Sequence, residues 1–576
     1  MQNVSNRPWR LYSVAALFIL LWLIVLGRLF YVQVIQGKNY AAKAVQQQSR
    51  KFEIASTRGN IYVQDSNGLY PVALNNQVYT LAVDPKFVKN KQQTIEKISQ
   101  ITLISEGEVA EKLNREGRYV EISKVVNTDQ ADLLKKESLP GVILQPRSSR
   151  YYPEGGLFSH VLGYINNDGE GQYGFEQFAN DDLKGQNGQY NTVTDALGVP
   201  INSTENTLVE PKDGKSYVLT IDRGLQAVAA EAIANAVSAN RAESGSIIIM
   251  EPKTGAIKAL VNYPDYDPNN FSKIQDYSVF TNRAVSELFE PGSGFKVITM
   301  ATGLDLQKVK PDTKYNDTGE VEVSGKTIRN AENEKFGIQT MTDVIQKSLN
   351  TGVVFVLNQL GTDPNKITLT SKETLHDYIE KFGFGRVTGI EQAGEVSSKV
   401  KPTTSSDIDY ANMSFGQGIS VNSIQLLAAV GAIANKGTLV KPHLVAGEAR
   451  NEQLVNPVKT ETVRQVISPQ AASDITQMMT QVVEHGSGYL TRMKGYSIAG
   501  KTGTAQVPRQ DGKGYEEDKN IGSFVGFAPA DDPQFVMFVR VDYPKVSGFA
   551  EKTAVPAFAV VAKELFKYYK IPPSGN

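Results

Sequence analysis

The sequence contains no cysteine, and it has only four histidines among 576 residues. Disulfides, thiolate nucleophiles and cysteine-ligated zinc are therefore excluded. The histidines do not cluster with the spacing of a metal site; they are His160, His376, His443 and His485. We expect them to be structural or surface residues, and we predict no metal, no cofactor and no serine–histidine triad.

The sequence also lacks a charge bias. Its 60 basic and 61 acidic residues almost cancel, so nothing suggests a nucleic-acid partner. Repeats and low-complexity tracts do not stand out. A chain of this length needs more than one domain on ordinary size statistics.

A long hydrophobic run is present at the amino terminus. Residues 11–26 carry no charge, and with the following residues they approach the roughly 20 residues that cross a bilayer. We predict a membrane anchor at residues 11–32. Because Arg7 and Arg10 precede the run, residues 1–10 should be cytoplasmic and the rest of the chain extracytoplasmic.

A cleavable signal peptide is the alternative interpretation of this run. The nearest small-x-small sequence, at residues 42–44, lies well beyond the apolar core. That distance is too long for usual cleavage, which favours a retained anchor.

Three short motifs in one order suggest acyl transfer without histidine. They are Ser293-Gly294-Phe295-Lys296, Ser348-Leu349-Asn350 and Lys501-Thr502-Gly503. Each occurs by chance in a long chain. The ordered set, with each motif in a plausible local structure, rarely does.

The first motif lies where a turn is predicted to open into a helix. Pro291 and Gly292 suit a helix entry, and the apolar run after Lys296 suits a buried helix. Residues i and i+3 share a helix face, so the lysine can reach the Ser293 hydroxyl. The lysine acts as a base only if burial or a neighbouring cation such as Lys501 lowers its pKa. Taken alone, the motif also fits an N-capping serine with a surface lysine.

The chain repeats all three patterns in other contexts, the middle one at 238–240 and 420–422. Residues 398–401 also spell Ser-x-x-Lys, but Pro402 follows and disfavours a helix. Residues 253–255 also spell Lys-Thr-Gly, but they lie between two apolar runs, as in a hairpin turn. Context must therefore decide which copy is functional.

The other two motifs also have suggestive surroundings. Ser348 and Asn350 follow a helix-compatible run, although a polar helix end explains them equally well. Lys501-Thr502-Gly503 precedes a predicted hairpin with a turn at 529–533. A strand there could pair with a substrate backbone, and Gly503 would permit a close approach.

The remaining pattern predicts an α+β fold. Residues 77–83 alternate like a strand, and 94–99 and 109–113 suggest amphipathic helices. A Pro- and Gly-containing linker near 205–216 marks a domain boundary. Beyond it the pattern is that of an antiparallel sheet with helices on its faces, ending in a helix at 557–569.

The chain resembles the class B penicillin-binding proteins, the monofunctional D,D-transpeptidases of bacterial cell-wall synthesis. The most specific matches are Ser414-Phe415-Gly416-Gln417-Gly418 and Ala499-Gly500-Lys501-Thr502-Gly503, and the former resembles the septal, division-specific branch. Further matches lie at 150–153, 158–163, 171–176, 219–226 and 282–284. The resemblance implies a non-catalytic pedestal, dimerisation-like, at 33–212 and a penicillin-binding, serine β-lactamase-like transpeptidase domain at 213–572.

The resemblance also implies catalytic roles. Ser293 would be the acyl-enzyme nucleophile and Lys296 its general base, while Ser348 and Lys501 would relay protons. The chain departs from the family at Gly294, where a hydroxyl residue is common. That departure makes the start of the helix less rigid.

Substrate contacts follow from the same resemblance. Asn350 would hold the donor peptide, and Thr502, Gly503 and Thr504 would contact its carboxylate or backbone. The backbone amides of Ser293 and Thr504 would form the oxyanion hole.

The function implied is crosslinking of peptidoglycan stem peptides, with β-lactams as covalent inhibitors. A membrane-embedded glycan polymerase and division proteins are the expected partners. Two alternatives remain open: a D,D-carboxypeptidase or β-lactamase that passes the acyl group to water, and a non-catalytic penicillin-binding scaffold.

Overall fold

The computed structural model describes residues 8–40, 43, 49–194, 200–201, 207–509 and 514–574. The chain divides into two compact units. One comprises Met1–Thr57 and Lys184–Gly214, and the other comprises Arg58–Leu183 and Lys215–Asn576. Each unit is described by itself below.

The first unit begins with a long apolar helix. This α-helix spans Pro8–Phe30 and continues as a π-helical turn at Tyr31–Ile35. The 27 residues Trp9–Ile35 are long and apolar enough to cross a membrane. The predicted amino-terminal helix is confirmed. Of residues 42–44, the candidate cleavage site, only Lys43 lies within the described residues.

The first unit also contains a four-stranded sheet. Its central strand, Gly188–Thr194, pairs antiparallel with three others: Ser49–Ile54, Pro200–Ile201 and Thr207–Val209. The predicted linker at 205–216 therefore includes a short strand, and residues 205 and 206 lie outside the described residues.

The second unit contains a seven-stranded sheet that draws strands from both sides of residue 212. Its strands are Ile61–Asp65, Gly68–Val83, Val120–Val126, Val142–Tyr151, Ser216–Asp222, Val445–Arg450 and Gln453–Val455. Ser216–Asp222 pairs parallel with Ile61–Asp65 and antiparallel with Val445–Arg450. The sequence analysis did not predict that segments before and after residue 212 form one sheet. The domain boundary at 212/213 stays a prediction.

Three helices cover the Gly68–Val83 end of this sheet. They are Lys91–Thr102, Glu106–Leu113 and Thr128–Glu137. Each begins at a polar cap whose side chain accepts a backbone N–H, namely Asn90, Ser105 and Asn127. Their buried faces share one apolar cluster with the sheet. The predicted strand at 77–83 and the helices at 94–99 and 109–113 are confirmed.

A five-stranded antiparallel sheet organises the rest of the second unit. In spatial order its strands are Ile257–Tyr263, Ser244–Met250, Phe535–Asp542, Tyr515–Ala528 and Ala499–Pro508. Side chains alternate between its faces: Ile247 and Ile249 enter one apolar cluster, while Ile248 enters another. The predicted hairpins, including the turn at 253–255, are confirmed.

Helices cover both faces of this sheet, as an α+β fold requires. Arg223–Asn240 and Ala550–Tyr568 pack on one face, and Ser423–Ala434 packs on the other. Around them lie the remaining α-helices of eight residues or more: Lys296–Asp305, Asn350–Gln359, Leu369–Lys381, Asp407–Ser414 and Pro469–His485. Short hairpins complete the unit: Lys314–Asp317 with Gly337–Thr340, Glu320–Val323 with Lys326–Arg329, and Thr438–Val440 with Thr462–Gln465.

Candidate active site

The first motif forms a tight turn at the start of a buried helix. Ser293 lies in a 3₁₀ turn, Gly292–Phe295, and the α-helix begins at Lys296. Gly292 has φ +52°, and a Cβ atom there would lie 2.7 Å from the carbonyl oxygen of Thr504. The serine turn therefore touches the strand that carries the third motif.

Gly416 holds this turn from another side. Its carbonyl oxygen accepts the Gly292 N–H at 3.0 Å. Its own φ is +87°, and a Cβ atom there would lie 2.0 Å from the Gly292 carbonyl oxygen. Only glycine fits such a conformation and spacing without strain. The segment 414–418, which the sequence singled out, thus shapes the serine turn.

Lys296 is buried and bound to the second motif. The residue is 1% exposed. Its Nζ donates to the Ser348 carbonyl oxygen at 2.5 Å and to Ser348 Oγ at 3.1 Å. Ser293 is half-buried, and within the described residues its hydroxyl has no hydrogen bond. Hydrogen bonds between catalytic groups often form fully only with substrate bound, so this geometry is compatible with a base.

Lys501 reaches the same hydroxyl from the edge strand of the five-stranded sheet. It is fully buried, and its Nζ donates to Ser348 Oγ at 3.0 Å and to the Thr502 carbonyl oxygen at 3.3 Å. Ser348 Oγ thus bridges two lysine amines that are 205 positions apart in the sequence. The lysines of the first and third motifs thus meet at the serine of the second, whereas the hydrogen bonds of the described residues do not include one between Lys296 and the Ser293 hydroxyl.

Ser348 sits in a strained backbone position. It has φ +60°, directly after the helix Met341–Gln346, and the Leu349 N–H bonds back to the Val344 carbonyl at 3.0 Å. Such helix ends usually place glycine in the left-handed position. The serine costs conformational energy there, but the turn points both its carbonyl and its hydroxyl at Lys296 and its hydroxyl at Lys501.

The electrostatics of the lysine pair follow from burial. Within the described residues, neither lysine has a carboxylate within 4.0 Å. Burial lowers the pKa of Lys501 to about 7. Burial and, second, the charge of Lys501 lower the pKa of Lys296 well below its usual value. Because both pKa values are lowered and the two charges repel, the pair can hold one neutral amine beside one ammonium.

The predicted substrate-binding residues lie on the segments that carry the second and third motifs. Asn350 begins the helix Asn350–Gln359, and its amide donates to the Arg329 carbonyl at 2.7 Å, which leaves its side-chain oxygen available. Thr502 is 7% exposed, whereas Thr504 is exposed. The side chains that are to meet substrate therefore differ in access.

The structure shows a different reason for glycine at position 503 from the predicted one. A Cβ atom there would lie 2.5 Å from Ser523 Oγ and 2.8 Å from the Pro291 carbonyl oxygen. The close approach that requires glycine is thus to the serine turn itself. Contact with a substrate backbone at this position stays a prediction.

Two residues near the site were missed by the sequence analysis. Glu290 is 7% exposed, and its carboxylate accepts the Gly418 N–H at 2.8 Å and the Tyr515 hydroxyl at 3.1 Å. Ser487 Oγ lies 2.6 Å from Thr502 Oγ1. The matching segment 414–418 hinted at the first contact. No local pattern marked the second.

The repeated motifs differ from the three-motif set in local structure, as context predicted. Residues 398–401 are not helical, and Lys399 forms an isolated β-bridge with Ser420. Gly294, the departure from the family pattern, has no positive φ, and a Cβ atom there would first meet Leu426 at 3.9 Å. Its lack of a side chain is therefore not a steric requirement.

Comparisons with known proteins agree with this geometry. Residues 245–566 match the model of the penicillin binding protein transpeptidase domain, and residues 53–219 match that of the penicillin-binding protein dimerisation domain. The chain belongs to the penicillin-binding protein transpeptidase family. The resemblance to class B members is thereby confirmed, because this chain carries both domains and matches peptidoglycan D,D-transpeptidases over its full length.

Two curated relatives extend over the whole chain. Stage V sporulation protein D of Bacillus subtilis is 34% identical over 100% of this chain and 88% of its own length. Peptidoglycan D,D-transpeptidase FtsI of Escherichia coli K12 is 29% identical over 100% of this chain and 94% of its own length.

Solved structures share the fold. A peptidoglycan synthetase from Bifidobacterium adolescentis is 27% identical with a TM-score of 0.71, covering 92% of this chain and 98% of that one. Penicillin Binding Protein 2X from Streptococcus thermophilus, 24% identical, has a TM-score of 0.73 over 91% of this chain and 80% of its own, which supports the fold alone.

Proposed function

We propose that this protein is a peptidoglycan D,D-transpeptidase that crosslinks stem peptides through an acyl-enzyme on Ser293. One observation carries the proposal: Lys296 and Lys501, both buried without a carboxylate in the described structure, converge on Ser348 Oγ beside the Ser293 turn. Depressed amine pKa values next to a hydroxyl are what nucleophilic catalysis without histidine needs.

Acylation begins with attack of Ser293 Oγ on the carbonyl carbon of the terminal D-Ala-D-Ala bond. Neutral Lys296 takes the hydroxyl proton as the new C–O bond forms. The backbone amides of Ser293 and Thr504 stabilise the tetrahedral oxyanion, since the two segments touch. Removing one such donor in other enzymes costs roughly 100- to 1,000-fold in rate.

Acylation is completed when the tetrahedral intermediate collapses, and this step needs a proton for the leaving amine. Charged Lys501 supplies it through Ser348 Oγ, and the C–N bond breaks to release D-alanine. An amine of a neighbouring stem peptide then attacks the acyl-enzyme and regenerates the Ser293 hydroxyl. Asn350, Thr502 and Thr504 hold the donor during both steps.

Labelling of the full-length protein in detergent with a fluorescent penicillin tests the nucleophile. We expect one covalent label per chain on Ser293, located by mass spectrometry, and none on Ser293→Ala. Ser398→Ala is the matched control, because it removes the serine of the second Ser-x-x-Lys sequence, and it should label normally. Labelling of Ser293→Ala would refute the assignment.

Turnover distinguishes the two alternative functions. A hydrolase passes the acyl group to water, so it would turn over nitrocefin repeatedly and rapidly; we expect a single slow burst instead. A scaffold needs no nucleophile, so Ser293→Ala would restore growth in a depletion strain; we expect that it does not.

The proposal includes a membrane topology and a domain organisation. Arg7 and Arg10 favour a cytoplasmic amino terminus, with residues 11–32 as a retained anchor. The family matches at 53–219 and 245–566 support a pedestal at 33–212 and a catalytic domain at 213–572. A protease added outside intact spheroplasts should remove the catalytic domain.

The biological setting is proposed to be the division septum, with a membrane-embedded glycan polymerase and division proteins as partners. The sequence at 414–418, which resembles the division-specific branch, supports it. A fluorescent fusion should collect at mid-cell in dividing cells. Uniform signal along the side wall would contradict this setting without affecting the chemistry.

A further inference from the structure

A hydroxyl outside the three motifs is joined to the lysine network. Ser487 lies on the loop between the helix Pro469–His485 and the short turn Tyr489–Thr491. Its Oγ is 2.6 Å from Thr502 Oγ1, a short hydroxyl–hydroxyl contact. Ser487 is half-buried, as is Ser348.

The network is continuous from the general base to this loop. Lys296 Nζ lies 3.1 Å from Ser348 Oγ, and Ser348 Oγ lies 3.0 Å from Lys501 Nζ. Lys501 Nζ lies 3.5 Å from Thr502 Oγ1, which in turn meets Ser487. Two amines and three hydroxyls thus form a single chain of hydrogen bonds.

The direction of these bonds depends on the charge of Lys501. An ammonium can only donate, so a charged Lys501 uses a lone pair of Thr502 Oγ1. The hydroxyl proton of Thr502 must then point away, and Ser487 Oγ is the acceptor that it meets. Without that acceptor, the same proton can turn and donate to the lone pair of a neutral Lys501.

The loop is held in place by contacts that do not involve the Ser487 hydroxyl. The N–H groups of Gly486 and Gly488 both bond to the Val482 carbonyl at 3.0 Å. Thr491 Oγ1 donates to the Gly488 carbonyl at 2.8 Å. Removing the Ser487 hydroxyl should therefore leave the loop folded, which separates a local chemical effect from a structural one.

We propose that Ser487 is a positioning residue of the acyl-transfer site, which fixes the hydroxyl of Thr502 so that Lys501 is kept in its charged form. The inference rests on the proposed function, because it concerns the proton that Lys501 gives to the leaving amine. Ser487 acts through Thr502 and Lys501.

The other titratable groups near this network limit the interpretation of a pH profile. Lys296 on the nucleophile helix is joined to Lys501 by their shared hydrogen-bond partner, Ser348 Oγ. Lys347 and His485 end the two adjoining helices, and both are exposed. Within the described residues, Lys347 lies 4.0 Å from the Asp343 carboxylate, so its charge is partly compensated.

The test is the pH profile of penicillin acylation by the full-length protein in detergent. For Ser487→Ala we expect the rate constant at pH 7 to fall about three- to tenfold, the range of one lost hydrogen bond. We also expect the basic limb to move down by about half a pH unit, because the neutral form of Lys501 gains a donor. Ser487→Thr keeps the hydroxyl and should restore both.

Two further measurements make each outcome decisive. Thr491→Val removes a bond within the same loop without touching the network, and it should leave the basic limb in place. An unchanged limb in Ser487→Ala, no rescue by Ser487→Thr, or an equal shift in Thr491→Val would each overturn the inference. These results are separate from the proposed function, which fails only if wild-type protein is not labelled at Ser293.

Discussion

The five-stranded sheet holds two kinds of buried cation, and the protein treats them in opposite ways. Arg540, 1% exposed, lies between two carboxylates: Nε is 2.5 Å from Asp542 Oδ1, and Nη2 is 2.7 Å from Glu287 Oε1. Lys501, on the edge strand of the same sheet, bonds only to hydroxyl and carbonyl oxygens in the described structure.

The difference decides whether a proton can move. Burial alone would lower the pKa of Arg540, but Asp542 and Glu287 outweigh burial and raise it, so this cation is permanent. Lys501 has no such compensation, and burial lowers its pKa to about 7. A buried cation with carboxylates is a structural group, whereas one without them is a proton carrier.

Ser348→Asp would give the lysine pair the carboxylate that it lacks, and it should have the largest effect on activity. A carboxylate between the two amines favours both charged forms, so Lys296 is no longer a neutral base at pH 7. We expect penicillin acylation to fall about 100- to 10,000-fold, the usual worth of general-base catalysis. Ser348→Asn, equal in size but uncharged, is the control and should lose less. Equal losses in stopped-flow labelling would contradict the electrostatic explanation.

Arg540→Met tests the cation that has carboxylate partners. It leaves Asp542 buried without its cation, whereas Glu287, 28% exposed, keeps its pair with Arg283 at 3.0 Å. Removing one partner of a buried ion pair typically costs about 3–5 kcal/mol of unfolding free energy. Urea unfolding followed by circular dichroism measures it. The control is Arg329→Met, which removes an exposed pair with Glu320 and should cost at most about 1 kcal/mol. Similar losses in both variants would show that burial of the pair is immaterial.

The pH dependence of stability should sharpen the contrast. Above pH 7 folded Lys501 loses its proton, while unfolded lysine keeps it until about pH 10. The unfolded state then binds more protons, so this residue makes unfolding free energy rise with pH from 7 to 9, by at most about 1.4 kcal/mol per unit. Urea titrations of Lys501→Met should show a flatter slope than wild type. Identical slopes would mean that Lys501 titrates normally.

Ser348→Gly should have the smallest effect on stability. Glycine adopts the left-handed conformation freely, so we expect a gain of about 0.5–1 kcal/mol in unfolding free energy together with slower penicillin labelling. Ser348→Ala keeps the strain and lacks the hydroxyl, so it should slow labelling without the gain. A glycine variant less stable than the alanine variant would show that the turn is not strained.

The motifs themselves were predictable because their information is local. A turn before an apolar run placed Ser293 and Lys296 at a helix start, and alternating strands around Pro529 and Pro533 predicted the hairpin beside Lys501. Local features also predicted which copies would not be functional. Pro402 disfavours a helix at 398–401, and 253–255 lies in a hairpin turn.

Other features depend on contacts between distant residues and left no local pattern. Ser348 lies 153 positions from Lys501, and Arg540 lies 253 positions from Glu287. The left-handed turn at Ser348 could not be predicted, because serine has no particular preference for it. Likewise, the parallel pairing of Ser216–Asp222 with Ile61–Asp65 joins segments that composition had separated.

Gly416 has a consequence for how such a protein can change under antibiotic selection. The carbonyl oxygen of Gly292 leaves no volume for even a methyl group at that position, and Gly503 is blocked in the same way by Pro291. Antibiotic selection should therefore leave both glycines unchanged, because a side chain at either position would displace the turn that carries Ser293.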